Sequence, residues 1–287
     1  MRKDTIFEQK KTINAGGKLI DLSSPIVMAI LNITPDSFYD GGINKNESVI
    51  IEKVEKMLSD GAKIIDIGAY SSKPGADYVS QAEEINRLLP VLCLLNNHFS
   101  DVVFSVDTFR SEVAAIAYNE GAKMINDISG GEMDNNMFEM MGKLKLPYIL
   151  MHMQGTPQTM QLNPKYENVV SEIAQFFSQK VNKLKQLGCD DIILDPGFGF
   201  GKKLEHNYTL LNHFDHFKML GLPLLAGVSR KSMIGQVIQK EPAESLNGTT
   251  VCNTIALLNG AKIVRVHDVK EAVEAIKIVN FMQQSKL

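Results

Sequence analysis

Eight short apolar segments, each broken off by polar residues, limit most strongly what this chain can fold into. The first, Ile26 to Leu31, is a run of apolar residues too short for a membrane span and without polar alternation, so it reads as a strand buried on both faces. The others run Lys63 to Ile67, Val102 to Val106, Met124 to Ile128, Tyr148 to Met151, Ile192 to Leu194, Leu224 to Val228 and Ile263 to Val266. At or just past their C-terminal ends stand Asn32, Ser71 and Ser72, Asp107, Asn126 and Asp127, His152, Asp195, Ser229 with Lys231, and Arg265 with His267. A satisfied structural role explains any one of these polar groups. Their recurrence fits a parallel barrel, which builds its site from the loops that follow its strands.

Helical patterns lie between the strands. Val49, Ile50, Val54 and Leu58 share a face near helical spacing, and Val169, Ile173, Phe177, Val181 and Leu184 do so over a longer run. A weak repeat marks the return to the sheet: Gly61-Ala62-Lys63-Ile64, Gly121-Ala122-Lys123-Met124 and Gly260-Ala261-Lys262-Ile263. Glycine supplies the left-handed residue that closes a helix, and the apolar residue after the lysine starts the next strand. Strands alternating with helices eight times predict a closed (β/α)8 TIM barrel of the α/β class. An open dinucleotide-binding sheet is disfavoured, because no Gly-x-Gly-x-x-Gly opens a helix after the first strand. At 287 residues the chain is expected to be one domain, 1–287. Residues 1–24 form an extension in which Thr12 to Leu22, with Gly16 and Gly17 at its centre, predicts a β-hairpin that caps the barrel bottom.

The net charge of −3 gives no general basic field for nucleic acid, so an anionic ligand must be held by a local cluster. Cys93, Cys189 and Cys252 are odd in number and far apart, and are expected to be core thiols in a reducing compartment. The charged stretch Met1 to Lys11 is followed by no signal-like apolar run, and no apolar run approaches the roughly 20 residues of a span, so a cytoplasmic protein without membrane contact is expected.

The segment Asp195 to Lys202, DPGFGFGK, lacks the spacing of a nucleotide phosphate loop. Its glycines are expected to shape a turn that presents Phe198 and Phe200, and a carboxylate beside an aromatic lip suits a flat heterocycle, although a tight turn with two packed aromatics is the plainer reading. Ser229 and His267 suggest an esterase, but the Gly-x-Ser-x-Gly elbow is absent.

The segments LNITPDSFYDGG (31–42), SSKPGA (71–76), SVDTFR (105–110), INDISGG (125–131), LDPGFGFGK (194–202), GVSRKS (227–232) and RVHDV (265–269) together resemble the dihydropteroate synthase family of the pterin-binding barrel superfamily, in that family's order. The resemblance implies a transferase of folate biosynthesis. Such an enzyme condenses 6-hydroxymethyl-7,8-dihydropterin diphosphate with 4-aminobenzoate, releases pyrophosphate, depends on magnesium, forms a homodimer and is a target of sulfonamides. By similarity, the pterin is held by Asp107, Asn126, Met151, Asp195 and Lys231. The 4-aminobenzoate pocket is formed by Phe38, Ser72, Pro74, Phe200 and Ser232, with Lys231 beside it. The diphosphate meets Asn32, Ser71, Lys73, Arg265 and His267, with Asn32 also the metal position. Lys231, Arg265, His267 and Asp40, on the first loop, carry the catalytic roles. The residue types support this chemistry independently. A buried carboxylate can accept the paired N–H edge of a reduced pterin, and Arg265 and His267, two apart on the last strand, face the same side as an anion clamp.

Two other functions share parts of this pattern: a folate-dependent methyltransferase domain and a pterin-binding paralogue without turnover. A sugar-phosphate barrel enzyme anchored by Arg265 would leave Asp107, Asn126 and Asp195 without a shared ligand. The paralogue is motivated by the second loop, where many relatives read Gly-Gly-Glu-Ser-Thr-Arg-Pro-Gly and this chain has Gly68-Ala69-Tyr70-Ser71-Ser72-Lys73-Pro74-Gly75. Lys73 offers a point charge where an arginine would offer a planar fork. If that charge still serves the diphosphate, Lys73→Arg keeps activity within about tenfold, about 1.4 kcal/mol, and Lys73→Ala loses more. Steady-state kinetics at saturating magnesium check this; an alanine variant with wild-type kcat and KM for both substrates would remove Lys73 from the site.

Overall fold

A computed structural model describes residues 9–33, 43–70 and 79–285 of the chain, and the side chains of 43–46 are outside that description. Strands β1 (Thr12–Ala15) and β2 (Lys18–Asp21) form an antiparallel hairpin. Then come β3 (Ile26–Asn32), β4 (Ile64–Gly68), β5 (Val103–Asp107), β6 (Met124–Asp127), β7 (Tyr148–Met151), β8 (Ile192–Asp195), β9 (Leu225–Ala226) and β10 (Ile263–Val266). They form one parallel sheet in the order β8-β7-β6-β5-β4-β3-β10-β9. A parallel bridge from Leu194 to Leu224, with the Leu194 N–H donating to the Pro223 carbonyl at 2.9 Å, brings the two edges together. The result is the expected (β/α)8 barrel.

The helices pack where their apolar spacing directs them. Helix Val169–Gln186 buries Val169, Ile173, Phe177, Val181 and Leu184, and Asn168 caps it by accepting the N–H groups of Val170 and Ser171. Helix Ile43–Ser59 buries Ile50 and Val54 of the expected face together with Met57, and Leu58 packs against the same core, but Val49 is 53% exposed. One residue is a rotation of about 100°, enough to turn Val49 off the buried stripe. All three Gly-Ala-Lys corners close helices in the same way. Gly61, Gly121 and Gly260 have φ of +110°, +93° and +102°. In each corner the glycine N–H reaches back three residues and the alanine N–H five, the paired bonds that satisfy a helix's last carbonyls.

Alternation along each strand divides the apolar core in two. Residues pointing outward, such as Ile65, Phe104, Leu150, Leu194 and Val264, join the helices in one large cluster. One inward residue near the start of every strand, from Met28 and Ile64 through Ile193 to Ile263, joins a separate cluster with Ile13, Ala15, Ile20 and Leu22 of the hairpin, against which Ile26 also packs. The hairpin thus plugs the end of the barrel from which the strands start, and any site lies at the opposite end.

Cys189 and Cys252 are buried, as expected, but Cys93 is only half-buried and its thiol donates to Glu120 at 3.1 Å, so it is not a core thiol. Among the described residues no helix is long and apolar enough to cross a membrane.

Candidate active site

Above the apolar plug, the next inward position of each strand changes character. Ile30 on β3 and Met151 on β7 remain apolar, but Asp66, Ser105, Asn126, Asp195 and Arg265 are polar, and Gly227, just past β9, has no side chain. Asp66, Ser105, Asn126 and Asp195 are all buried. Polar groups facing inward in a packed barrel are costly unless they meet one another or a ligand.

They meet through Asp66 and Arg265. Asp66 Oδ2 accepts Nε of Arg265 at 2.6 Å and Nδ2 of Asn126 at 2.9 Å, while Nη2 of Arg265 donates to Asp107 Oδ2 at 2.9 Å. Burial works against the arginine's charge, but Asp66 and Asp107 outweigh it and hold the guanidinium firmly protonated. Burial pushes the Asp107 carboxyl up to about 7, against the pull of Arg265. Asp195 is likewise pushed upward by burial, opposed by the nearby Lys231 charge and by the Gly197 N–H that donates to Oδ1 at 2.8 Å. Lys231 completes the group. Its amine donates to the Phe198 carbonyl, lies 4.6 Å from the centre of the Phe200 ring, and is brought down to about 8 by desolvation despite Asp195.

Two glycines keep the space between these groups open. A Cβ on Gly227 would lie 3.7 Å from Asp195 Oδ2 and 4.0 Å from Arg265 Cβ. One on Gly68 would lie 3.4 Å from Asn32 Oδ1 and 3.8 Å from Asp107 Cβ. A separate apolar cluster of Tyr70, Phe109, Ile128, Met151, Met153 and Met160, with Phe200 against it, forms one wall. The mouth therefore combines a polar set of hydrogen-bonding groups with an adaptable, methionine-rich face.

The other polar residues at strand ends hold these in place. Outward-facing Asp127 accepts the Tyr148 hydroxyl at 2.5 Å and the N–H groups of Ser129 and Gly131. His152 is driven to a pKa of about 2 by burial and by Lys202, whose amine sits 3.0 Å from Nδ1 and also donates to the carbonyls of His152 and Phe200. Arg230, at φ +54°, pairs with both Asp268 oxygens at 2.9 Å and so ties the loop of Lys231 to that of His267. Ser229 Oγ lies 3.1 Å from His267 Nδ1 and also accepts the His267 N–H at 3.2 Å. This pair braces the histidine, and no elbow turns the serine into a nucleophile.

Several expectations change. Phe198 is not on a lip: it is fully buried and stacked on Phe214 at 6.0 Å, so Phe200 alone faces the mouth. The close packing of this turn explains why: a Cβ on Gly197, at φ +72°, would stand 2.0 Å from the His152 carbonyl oxygen. Arg265 and His267 do lie on one side, but the arginine spends two nitrogens on carboxylates, and Asp107 is engaged with Arg265. Asn32 is accessible at the end of β3, and Ser232 is accessible at the start of a short helix. Phe38, Asp40, Ser71, Ser72, Lys73 and Pro74 lie outside the described residues. The chain on either side of residues 71–78 is anchored. Tyr70 packs edge-on to Phe109 at 5.3 Å and accepts from Gln158 at 3.1 Å, while the Val79 carbonyl accepts from Arg110, itself paired with Glu84. Asp66 and Ser105 lie inside runs that read as apolar strands, yet inward alternation counted back from Gly68 and Asp107 picks out both.

The profile of the family described as "Pterin binding enzyme" matches residues 28–267. The dihydropteroate synthase of Escherichia coli (strain K12) is 45% identical over 274 residues, covering 95% of this chain and 96% of that protein. The Yersinia pestis dihydropteroate synthase, solved with a sulfonamide drug, superimposes with a TM-score of 0.89 at 44% identity, covering 96% of this chain and all of that one. The Xanthomonas albilineans dihydropteroate synthase, solved with 4-aminobenzoic acid, gives a TM-score of 0.89 at 34% identity and covers 97% of this chain and all of that one.

Space at Gly68 is directly testable. A methyl group there makes only tight but tolerable contact with Asn32, so Gly68→Ala keeps the melting temperature within about 3 °C, while it fills part of the mouth. Calorimetry with 6-hydroxymethylpterin should show at least a tenfold loss of affinity; wild-type affinity would place the ligand elsewhere.

Proposed function

The chain belongs to the pterin binding enzyme family, and on that premise we propose how its inward polar row carries out the reaction of a dihydropteroate synthase. As the resemblance of its motifs implies, the reaction condenses 6-hydroxymethyl-7,8-dihydropterin diphosphate with 4-aminobenzoate to 7,8-dihydropteroate and pyrophosphate. The observation that carries the proposal is the convergence of Asp195, Asn126, Asp107 and Arg265 on one opening that Gly68 and Gly227 keep free of side chains.

In this reading Asp195 accepts the amino and ring N–H edge of the pterin. Its raised pKa fits a buried carboxylate whose partner arrives with the ligand. Asn126 and Asp107 take the remaining polar edge, Met151 supplies an apolar face, and Lys231 bonds the ring carbonyl side. Arg265, with His267 braced by Ser229, faces the diphosphate. The bond from the pterin methylene carbon to the diphosphate oxygen breaks with its electron pair on oxygen. The aromatic amine then forms the new C–N bond and gives up a proton. The protein's task is to hold separated charge rather than to supply a nucleophile. Phe200, Lys231 and Ser232 border the side where 4-aminobenzoate would enter, and the similar Xanthomonas albilineans enzyme was solved with that compound. A sulfonamide, the class of drug with which the similar Yersinia pestis enzyme was solved, would compete at this pocket.

Magnesium fits only as a passenger of the diphosphate. Among the described residues no group of three His, Cys, Asp or Glu could hold an ion, and accessible Asn32 offers a single neutral oxygen. Asn32 would help to hold magnesium that arrives with the diphosphate, and the ion would supply charge neutralisation of the leaving group. We also assign homodimerisation to the neighbouring helices Leu246–Leu258 and Val269–Gln284, which expose Val251, Ile255, Leu258, Ile278, Phe281 and Met282. Residues 1–287 are read as one catalytic domain working in the cytoplasm, where its unpaired cysteines suit a reducing setting.

Purified protein given the pterin diphosphate, 4-aminobenzoate and magnesium should release pyrophosphate and dihydropteroate in equal amounts. Pterin binding without turnover would instead identify a non-catalytic paralogue. Asp195→Asn should stay folded and lose about 2 kcal/mol or more of pterin binding, roughly thirtyfold, because an amide sets donors against donors. Unchanged affinity by calorimetry would reject the Asp195 assignment.

A further inference from the structure

The role of Asp66 follows from three observations. Its side chain is fully buried. A single oxygen, Oδ2, accepts both Arg265 Nε and Asn126 Nδ2. Its other oxygen, Oδ1, and the hydroxyl of Ser105, its register partner on β5, have no hydrogen-bond partner among the described residues. A carboxylate kept out of water at this depth is tolerated only while a cation is held against it.

We propose that Asp66 is a positioning residue that joins the two halves of the substrate site, holding Asn126 on the pterin side and Arg265 on the diphosphate side through one shared oxygen. The inference rests on the reading of Arg265 as a diphosphate ligand. With Nε on Asp66 and Nη2 on Asp107, the guanidinium plane is fixed at two points, and three N–H groups remain beyond those two bonds to meet an anion. Asp107 sits at the accessible end of this arrangement and Asp66 at its buried end. Only Asp66 also reaches Asn126, so its loss is felt on both sides of the site. Oδ1 and the Ser105 hydroxyl face the same barrel interior, and together they provide an acceptor and a donor for a small polar group, such as a water, beneath the bound ring.

The test is a double-mutant cycle of Asp66→Asn and Arg265→Lys. Lysine has no Nε and makes no two-point contact, so it removes the same link from the other side. Binding of inorganic pyrophosphate with magnesium and of 6-hydroxymethylpterin is measured by calorimetry, and folding by circular dichroism. Asp66→Asn should weaken both ligands at least tenfold. The double variant should bind pyrophosphate no more than about twofold worse than Arg265→Lys alone. Additive losses, or a folded Asp66→Asn protein that binds both ligands like wild type, would overturn the inference. A wild-type protein that binds no pyrophosphate would instead overturn the reading of Arg265. If Asp66→Asn fails to fold, a crystal structure of the wild type with pyrophosphate decides. Arg265 still on Asp66 while it contacts the anion supports the inference, and Arg265 swung away from Asp66 refutes it.

Discussion

A guanidinium inside a closed barrel is the constraint on which the site depends. Arg265 points inward because it occupies the second inward position of β10, where a hydrophobic residue would otherwise fill the barrel. Its charge is tolerated there because Asp66 meets Nε at 2.6 Å and Asp107 meets Nη2 at 2.9 Å. Removing one partner of such a buried pair costs about 3–5 kcal/mol. The three residues therefore form a unit, and Asn126 is drawn into it through Asp66. Below lies a dry plug closed by the hairpin, and above lies an opening that two glycines keep clear.

The strands were readable because each is a short apolar run ended by a polar residue, and the helix ends because Gly61, Gly121 and Gly260 repeat one corner. A fourth corner of the same kind, at Gly188 with φ +84° and Cys189, was hidden because the chain there reads Gly-Cys-Asp. Which polar residues serve the ligand was harder to see. Asp127 and Asn126 are neighbours with the same apparent credentials, yet alternation sends Asn126 into the barrel and Asp127 out towards Tyr148. His152 follows the inward Met151 and is turned into an aromatic setting beside Phe176 and Tyr166. The glycines of the DPGFGFGK turn give no sign of which ring faces the mouth, and the expectation that the turn presents both Phe198 and Phe200 does not hold for Phe198. Packing of that turn against the backbone after β7 sends one ring into the core.

Tyr70 shows how a departure from the family pattern can be absorbed. It stands where many relatives carry a glutamate, and here the ring packs on Phe109 while the hydroxyl takes a bond from Gln158. The guanidinium of Arg110 lies over both rings, 4.7 Å from the centre of Phe109 and 5.7 Å from that of Tyr70. An aromatic with a polar tip suits such a place, with its body in the methionine-rich wall and its hydroxyl at the wet edge.

The central claim is that one inward-facing polar row of the barrel is the pterin site, with Asp195 as its acceptor. A crystal structure with 6-hydroxymethylpterin tests it most directly. The ring is expected in the space kept open by Gly68 and Gly227, with its amino edge on the Asp195 carboxylate and its opposite edge reaching Asn126. A ring bound outside that space, with Asp195 making no contact to it, would contradict the account.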